Sequence, residues 1–155
     1  MRRVAFVALL AVAIAVLTSD RTSTQLVNDA ALAMLAPLYI GMPLGALVAV
    51  HASAGRKAVL LLIATVAVSD TAQYYTGRML GRTPLAPRHS PKKTREGALG
   101  GFVIAPLFLA AAGSVWMPEV PAIRLAALGL VLVAAGITGD LFESMLKRSA
   151  GVKDS

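Results

Sequence analysis

Long runs of apolar residues, separated by short polar stretches, constrain this chain more than any other feature. The runs cover residues 4–17, 30–50, 58 to about 75, 98 to about 117, and 122 to about 142. Runs of about 20 apolar residues are typical of helices that cross a membrane. Since 57% of the 155 residues are hydrophobic, the sequence predicts an all-α fold, a polytopic transmembrane helical bundle with about five membrane segments.

The first two runs are less regular than the others. Run 4–17 is short and follows two arginines, so it also fits the core of a signal peptide or a signal anchor. Because residues 18–29 contain no small-x-small cleavage site and further apolar runs follow, we interpret it as a span. Run 30–50 contains Pro37 and Gly41, which predict a kinked or broken helix.

Charge and residue usage exclude several classes of function. The net charge of +7 suggests anionic partners, and with no soluble module to form a basic groove we expect membrane lipid headgroups and phosphate substrates, with no nucleic acid. The chain has no cysteine and only His51 and His89, so disulfides, thiolate catalysis and cysteine or histidine-rich metal sites are excluded. Any metal here must bind through oxygen ligands. Walker-type glycine loops, GxSxG elbows and dinucleotide fingerprints are also absent from the sequence.

The distribution of positive charge predicts the orientation in the membrane. Residues 77–97 carry six basic residues and one acidic residue, so the positive-inside rule makes this loop cytoplasmic. Lys147 and Arg148 follow the fifth run and return to the same side. Strict alternation back to the start would instead place the first arginines outside. That conflict would vanish if one of the first two runs did not cross, or if the chain were a piece of a longer protein.

Asp70 lies inside the third apolar run, where a charged side chain needs a partner or a function. A carboxylate at the centre of a membrane helix costs about 2.5–3.5 kcal/mol on insertion scales. Helical spacing places Asp70, Tyr74 and Gly77 on one face, directed towards the basic loop. The alternative is that Asp70 caps the helix or snorkels at the interface in a salt bridge with Arg78.

Asp140 ends the fifth run and begins a second polar stripe. The spacing i, i+4 and i+7 aligns Asp140, Ser144 and Lys147. A carboxylate, a hydroxyl and an ammonium would suit a magnesium-bound triphosphate. Glu143 and Lys147 also have the spacing of an ordinary surface ion pair, and spacing alone leaves these two interpretations even.

The basic loop offers further groups for binding phosphate. Lys92 and Lys93 provide positive charge, and Ser90 and Thr94 can donate hydrogen bonds. Such a run of cations equally serves to fix topology and to attract anionic lipid.

Three stretches, in order, resemble the phosphatidate cytidylyltransferase (CDP-diacylglycerol synthase) family. Residues 69–78 read Ser-Asp-Thr-Ala-Gln-Tyr-Tyr-Thr-Gly-Arg, where the family usually has Asp-Thr-Gly-Ala-Tyr. Residues 90–97 are similar to the family's Ser-Pro-x-Lys-Thr-x-Glu-Gly loop. Residues 144–154 match the opening of the family signature, Ser-x-x-Lys-Arg-x-x-x-x-Lys-Asp. The resemblance covers about residues 66–155.

The resemblance implies a membrane enzyme of phospholipid biosynthesis that transfers CMP from CTP to phosphatidic acid, giving CDP-diacylglycerol and pyrophosphate. It implies Mg²⁺, with a second cation possible, an active site at the cytoplasmic face of the bacterial inner membrane, and a possible homodimer. The implied catalytic residues are Asp140, Lys147 and Asp154, with Asp140 and Asp154 as metal ligands. The implied substrate-binding residues are Asp70, Tyr74, Ser90, Lys92, Lys93, Thr94, Glu96, Ser144, Arg148 and Lys153.

The ends of the chain depart from the family pattern. The signature continues in the family with Pro-Gly-His-Gly-Gly and Asp-Arg-x-Asp segments, and members are commonly longer at the N-terminus. We therefore expect one membrane domain truncated at both ends, with membrane segments in 1–57 and a catalytic region in 58–155 that lacks the family's C-terminal end. The alternatives are a related CTP-dependent isoprenoid-lipid enzyme, such as a polyprenol or dolichol kinase or a CDP-archaeol synthase, and a non-catalytic lipid-binding membrane protein.

Overall fold

The computed structural model describes residues 7, 10–11, 13–15, 18, 23–87 and 90–149. Apolar run 4–17 therefore lies largely outside the described residues. The elements in chain order are α1 (Ser23–Ala36), a π-helical turn (Pro37–Gly41), α2 (Met42–Leu80), β1 (Pro84–Ala86), β2 (Ser90–Thr94), α3 (Arg95–Trp116) and α4 (Ala122–Ser149). The chain divides into two compact units, Met1–Gly55 and Arg56–Ser155.

Helix α2 consists of two helical segments that meet at a kink at one glycine. Gly55 has φ 75° and ψ −178°, a left-handed conformation that glycine adopts at little cost. The stretch 51–57, which separates the second and third apolar runs, lies within α2 and contains this kink. Its alanines are good helix formers, and Ser53 Oγ donates to the Ala49 carbonyl 2.9 Å away, which satisfies the hydroxyl without ending the helix. The helix breaks predicted for run 30–50 take the form of the π-helical turn at Pro37–Gly41.

The chain is an integral membrane protein built mostly of helix. Among the described residues, three helical stretches are long and apolar enough to cross a membrane: Asn28–Leu80, Arg95–Trp116 and Ala122–Ser149. The second and third apolar runs both fall within the first stretch, and the fourth and fifth runs correspond to α3 and α4. The total of about five segments stays a prediction.

Helices α3 and α4 form the core of the second unit by close approach at small residues. A Cβ built on Gly129 would lie 2.6 Å from the Cα of Pro106, and one on Gly113 would lie 2.6 Å from Cδ1 of Leu125. Small residues allow membrane helices to approach closely where there is no hydrophobic drive to bring them together. Apart from Ala72, the buried apolar residues described in this unit form two clusters, one of Ala98, Ala105, Val133 and Ile137 and the other of Leu61, Leu109 and Leu125.

A short β-hairpin joins α2 to α3, which corrects the all-α prediction for this part of the chain. Strands β1 and β2 are antiparallel, with Pro84 opposite Thr94 and Ala86 opposite Ser90. Thr94 also caps α3, because its Oγ1 accepts a hydrogen bond from the Gly97 N–H at 3.1 Å. The strand that carries the lysines therefore runs directly into a membrane helix, which fixes where those lysines lie.

Candidate active site

A cleft of about 420 Å³ opens where the end of α2, the hairpin, the start of α3 and the later part of α4 meet. Seven of the residues that line it were singled out from the sequence: Asp70, Tyr74, Ser90, Lys92, Lys93, Thr94 and Asp140. Six others had no predicted binding role: Gln73, Gly77, Arg78, Leu85, Gly97 and Ala98. The two membrane acids and the cationic hairpin thus share one cleft, as the sequence analysis expects, while the roles of these residues stay predictions.

An ion pair in the cleft joins the hairpin to α4. Lys93 Nζ lies 2.5 Å from Asp140 Oδ2, although the two residues are 47 positions apart in sequence. The side chains are 27% and 51% exposed, respectively, so the pair stands at the cleft surface and is open to solvent and ligands. This contact places a cation of the hairpin directly on the carboxylate that the sequence singles out as a metal ligand.

Asp70 adds a second carboxylate to the cleft. Its side chain is exposed, and it experiences the charges of both Asp140 and Lys93. The alternative salt bridge with Arg78 is not formed between these two described side chains; instead, Arg78 Nη1 donates to the Tyr74 hydroxyl at 2.9 Å. Asp70 therefore lines the cleft with an exposed carboxylate that lies near the charges of Lys93 and Asp140.

Arg78 is a cleft cation for which the sequence suggested only a salt bridge with Asp70 and no binding role. It follows Tyr74 by four positions on α2, the spacing that places two helical side chains side by side. The Tyr74 ring in turn makes an edge-on contact with Tyr75, with ring centroids 5.3 Å apart and planes at 79°. The i, i+4 relation of Arg78 to Tyr74 is the signal in the sequence that could have identified it.

Glu96 faces the loop before the hairpin, and it is not among the cleft-lining residues. Its Oε2 accepts hydrogen bonds from the backbone N–H groups of Arg82 and Thr83, at 3.1 and 3.2 Å. The predicted substrate-binding role of Glu96 therefore has no support in the placement of its carboxylate. What the geometry supports is an anchor, because Glu96 ties the start of α3 to the segment entering β1.

The end of α4 also lies outside the cleft lining. Lys147 Nζ contacts Glu143 Oε1 at 2.9 Å, so the structure forms the surface pair that spacing alone left open. Ser144 and Arg148 belong to the same final turns of α4 and are not among the cleft-lining residues either. Lys153 and Asp154 lie outside the described residues.

The oxygen atoms of the cleft suit a hard divalent cation that arrives with a ligand. Asp70 and Asp140 supply two carboxylates, and Ser90 supplies a hydroxyl. Within the described part of the chain, no group of three or more acidic or histidine side chains is close enough to hold a metal by itself. Mg²⁺ is commonly bound by one or two carboxylates, with waters and substrate phosphates completing the shell. The two carboxylates and the hydroxyl could therefore supply some of the oxygen ligands of a divalent cation, while other molecules would supply the rest.

Comparison with known proteins gives a consistent result. The sequence model of the cytidylyltransferase family matches residues 1–155. The chain is similar to the phosphatidate cytidylyltransferase of Helicobacter pylori, 38% identical over 125 residues that make up 79% of this chain and 46% of that protein. It is similar to the Thermotoga maritima protein of the same name, 33% identical over 144 residues, or 90% of this chain and 53% of that one.

A third relative, from Bacillus subtilis, is also named phosphatidate cytidylyltransferase. It is 37% identical over 123 residues, which make up 78% of this chain and 46% of that protein. The chain thus spans about half the length of the curated relatives it matches. No solved structure matches it.

Proposed function

The chain belongs to the cytidylyltransferase family, and from that membership we propose that it carries the catalytic region of a phosphatidate cytidylyltransferase. The proposed reaction transfers CMP from CTP to phosphatidic acid and gives CDP-diacylglycerol and pyrophosphate. The contact between Lys93 and Asp140 carries the proposal, because it joins a phosphate-binding type of loop to a carboxylate at the end of a membrane helix.

The cleft has the charges that a triphosphate requires. Arg78, Lys92 and Lys93 can neutralise phosphate oxygens, and the hydroxyl groups of Ser90 and Thr94 can donate hydrogen bonds to them. Asp140 would hold Mg²⁺ with the phosphates of CTP, Asp70 would support the pocket, and Asp154 would be a second acidic ligand. Bound there, Mg²⁺ would neutralise the charge that develops on the α-phosphate and on the leaving pyrophosphate.

In the proposed reaction the main task of the protein is to position phosphatidic acid and CTP next to each other. An anionic phosphate oxygen of phosphatidic acid attacks the α-phosphorus of CTP and forms a new P–O bond, while the bond from the α-phosphorus to the bridging oxygen breaks and pyrophosphate leaves with the electron pair. No proton has to be removed from an ionised phosphate. The protein therefore contributes by holding two mutually repelling anions together, which cationic side chains and a metal accomplish.

Lys147 and Arg148 are proposed to contact the phosphate of the lipid. They follow Asp140 on α4 by two turns and are not among the residues that line the cleft. Phosphatidic acid presents its phosphate at the membrane surface, where cations beyond the end of a spanning helix are favourable for anionic lipid. This separates the cations by substrate, with the cleft for CTP and the end of α4 for the lipid.

The cleft end of the second unit is proposed to face the cytoplasm. Most basic residues of this unit lie at that end, whereas the other end has Arg56, Lys57 and Arg124. Lys57 Nζ donates to the Trp116 carbonyl oxygen at 3.5 Å, so this lysine lies at the C-terminal end of α3, away from the cleft. By the positive-inside rule the cleft then opens to the inner side of a bacterial plasma membrane. About five membrane segments and a homodimer complete the proposal.

The experiment that tests the proposed function measures CTP binding to the purified 155-residue chain in detergent, with and without Mg²⁺. We expect magnesium-dependent CTP binding that is lost in Asp140→Ala. Glu143→Ala is the matched control, since it removes the same charge one turn later on α4 from a residue that does not line the cleft. Equal binding by wild type and Asp140→Ala would contradict the proposal.

The lipid substrate is tested by transfer of radiolabel from CTP. Vesicles containing phosphatidic acid are compared with vesicles containing an isoprenoid alcohol or an isoprenoid ether lipid acceptor. We expect label from the α-phosphate to appear in lipid only with phosphatidic acid. Transfer from the γ-phosphate would identify a kinase instead, and transfer to the ether lipid would identify the archaeal type of substrate.

A further inference from the structure

The ion pair between Lys93 and Asp140 lies in the cleft. The Lys93 ammonium lies 2.5 Å from the Asp140 carboxylate. Asp140 is also the leading candidate among the described residues for binding a divalent cation. The negative charge of the Asp140 carboxylate is therefore already balanced by a lysine of the same chain.

An ammonium and a divalent metal cannot share that oxygen without rearrangement. Mg²⁺ binds carboxylate oxygens at about 2.0–2.1 Å and tolerates little deviation from octahedral geometry. Two cations at one oxygen repel each other strongly, and this repulsion is screened less in a partly enclosed cleft than in bulk water. Metal binding to Oδ2 of Asp140 therefore requires Lys93 to move, and a metal on the other carboxylate oxygen would still be repelled by the nearby ammonium.

We propose that Lys93 is an internal counter-ion of Asp140 which a divalent metal displaces, and that the displaced ammonium becomes a ligand for nucleotide phosphate. This inference rests on the proposed function for the identity of the nucleotide. The displacement itself concerns only the metal and two residues of the chain.

The position of Lys93 makes the exchange feasible. The residue belongs to β2, whose end is fixed by the cap that Thr94 provides to α3, while the ammonium sits on a flexible four-carbon stem. Lys92, Ser90 and Thr94 line the same cleft. A small movement of the stem would carry the Lys93 ammonium from Asp140 towards the region that these groups line.

The exchange couples the two ligands of the site. A metal without nucleotide must displace Lys93 with no new partner for the ammonium, so it binds weakly. A metal with CTP displaces Lys93 onto phosphate oxygen, so each ligand strengthens the binding of the other by the same factor. The cleft would thus discriminate against free metal and favour the metal nucleotide.

The test measures binding of Mn²⁺ alone to the 155-residue chain by electron paramagnetic resonance. In Lys93→Met the Asp140 carboxylate has lost its lysine partner, and we expect Mn²⁺ to bind roughly two- to fivefold more tightly, the scale set by a partly exposed ion pair. In Lys93→Arg, which keeps a cation at this position, the affinity should stay near that of wild type. Lys92→Met is the matched control, because it removes the same charge from the same strand and from a cleft residue for which no contact with Asp140 is found within the described part of the chain.

The second measurement repeats the titration with CTP present. In wild type, CTP should raise the affinity for Mn²⁺ by a larger factor than in Lys93→Met, since the variant has no ammonium to transfer. If Mn²⁺ alone gains the same affinity in Lys93→Met as in Lys92→Met, the effect is one of general charge and the proposal is overturned. Unchanged or weaker binding of Mn²⁺ alone in Lys93→Met would overturn it as well.

The two proposals fail in different ways. If Mn²⁺ binds as expected but CMP is never transferred to phosphatidic acid, the counter-ion exchange is supported and the proposed reaction is wrong. If CMP is transferred but Lys93→Met shows no gain in Mn²⁺ affinity, the proposed reaction is supported and the counter-ion exchange is wrong. Thermal unfolding of each variant in detergent shows that the comparison is made between folded proteins.

Discussion

Gly97 of α3 packs directly against Gly77 of α2. A Cβ built on Gly97 would lie 3.2 Å from the Cα of Gly77 and 2.7 Å from the carbonyl oxygen of Gln73. The obstacles are backbone atoms, which cannot move aside as a flexible side chain can. The two glycines therefore set the distance between α2, which carries Asp70, and α3, which directly follows the strand that carries Lys93. The cleft that these two side chains share depends on this distance.

Gly97→Ala should destabilise the protein and widen the cleft. Inserting a methyl group into a well-packed contact costs typically about 1–3 kcal/mol, and here it would push α3 away from α2. Gly136→Ala is the matched control, since a Cβ at Gly136 meets nothing within 4 Å and alanine favours helix by up to about 1 kcal/mol. Thermal unfolding in detergent should rank the variants as Gly97→Ala below wild type, with Gly136→Ala equal to it or above it.

The helices were predictable because their signal is composition over a long window. The predicted runs at 98–117 and 122–142 correspond to α3 and α4, and the main difference is that α4 continues to Ser149. The sequence becomes polar after Phe142, which indicates the end of a span but not the end of a helix. Glu143 and Lys147 are spaced for an ion pair within a helix, and that pair supports the continuation.

The hairpin was not predictable in the same way. Residues 90–94 read Ser-Pro-Lys-Lys-Thr, which has no alternation of apolar and polar side chains and includes a proline. The strand forms because tertiary contacts favour it: Pro84 pairs with Thr94, and Glu96 holds the entering segment. Such contacts lie between residues separated in sequence and leave no periodic signal.

The sequence indicated which motifs contribute to the cleft, but not which residues of each motif line it. Motif matches selected Asp70, Lys93 and Asp140, and the structure brings them to one cleft. Glu96 belongs to the same motif as Lys93, yet its carboxylate faces the Arg82 and Thr83 amides. A motif records which residues occur together and does not say which of them face the ligand.

Glu96→Ala should loosen the hairpin without removing a ligand of the cleft. The backbone N–H groups of Arg82 and Thr83 lose their acceptor, so their hydrogen exchange should accelerate relative to wild type. Exchange in the middle of α4 should remain unchanged, which provides an internal control. If those two amides exchange at the wild-type rate while CTP binding is lost, the anchoring role is wrong and direct contact with substrate is favoured.

Tyr74→Phe should weaken CTP binding by releasing Arg78. The hydroxyl that accepts from Arg78 is removed, and a hydrogen bond of this kind contributes about 0.5–1.5 kcal/mol, or roughly two- to tenfold in affinity. Isothermal titration with CTP and Mg²⁺ measures the change. Tyr75→Phe is the control, because the adjacent ring keeps its contact with Tyr74 and no hydrogen bond of its hydroxyl is found among the described residues. Equal losses in both variants would indicate that ring position, and not the orientation of Arg78, governs binding.

Lys147→Gln and Lys93→Gln should separate the cations by substrate. Lys93 lines the cleft, and loss of a charge-assisted contact with phosphate should lower CTP affinity by about tenfold, near 1.4 kcal/mol. Lys147 pairs with Glu143 outside the cleft lining, so its loss should change CTP affinity by no more than about twofold. Binding of the chain to vesicles containing phosphatidic acid should instead fall more in Lys147→Gln, since that side chain is assigned to the lipid phosphate. A tenfold loss of CTP affinity in Lys147→Gln would mean that the last turns of α4 reach the nucleotide, and the cleft would then have to extend beyond Asp140.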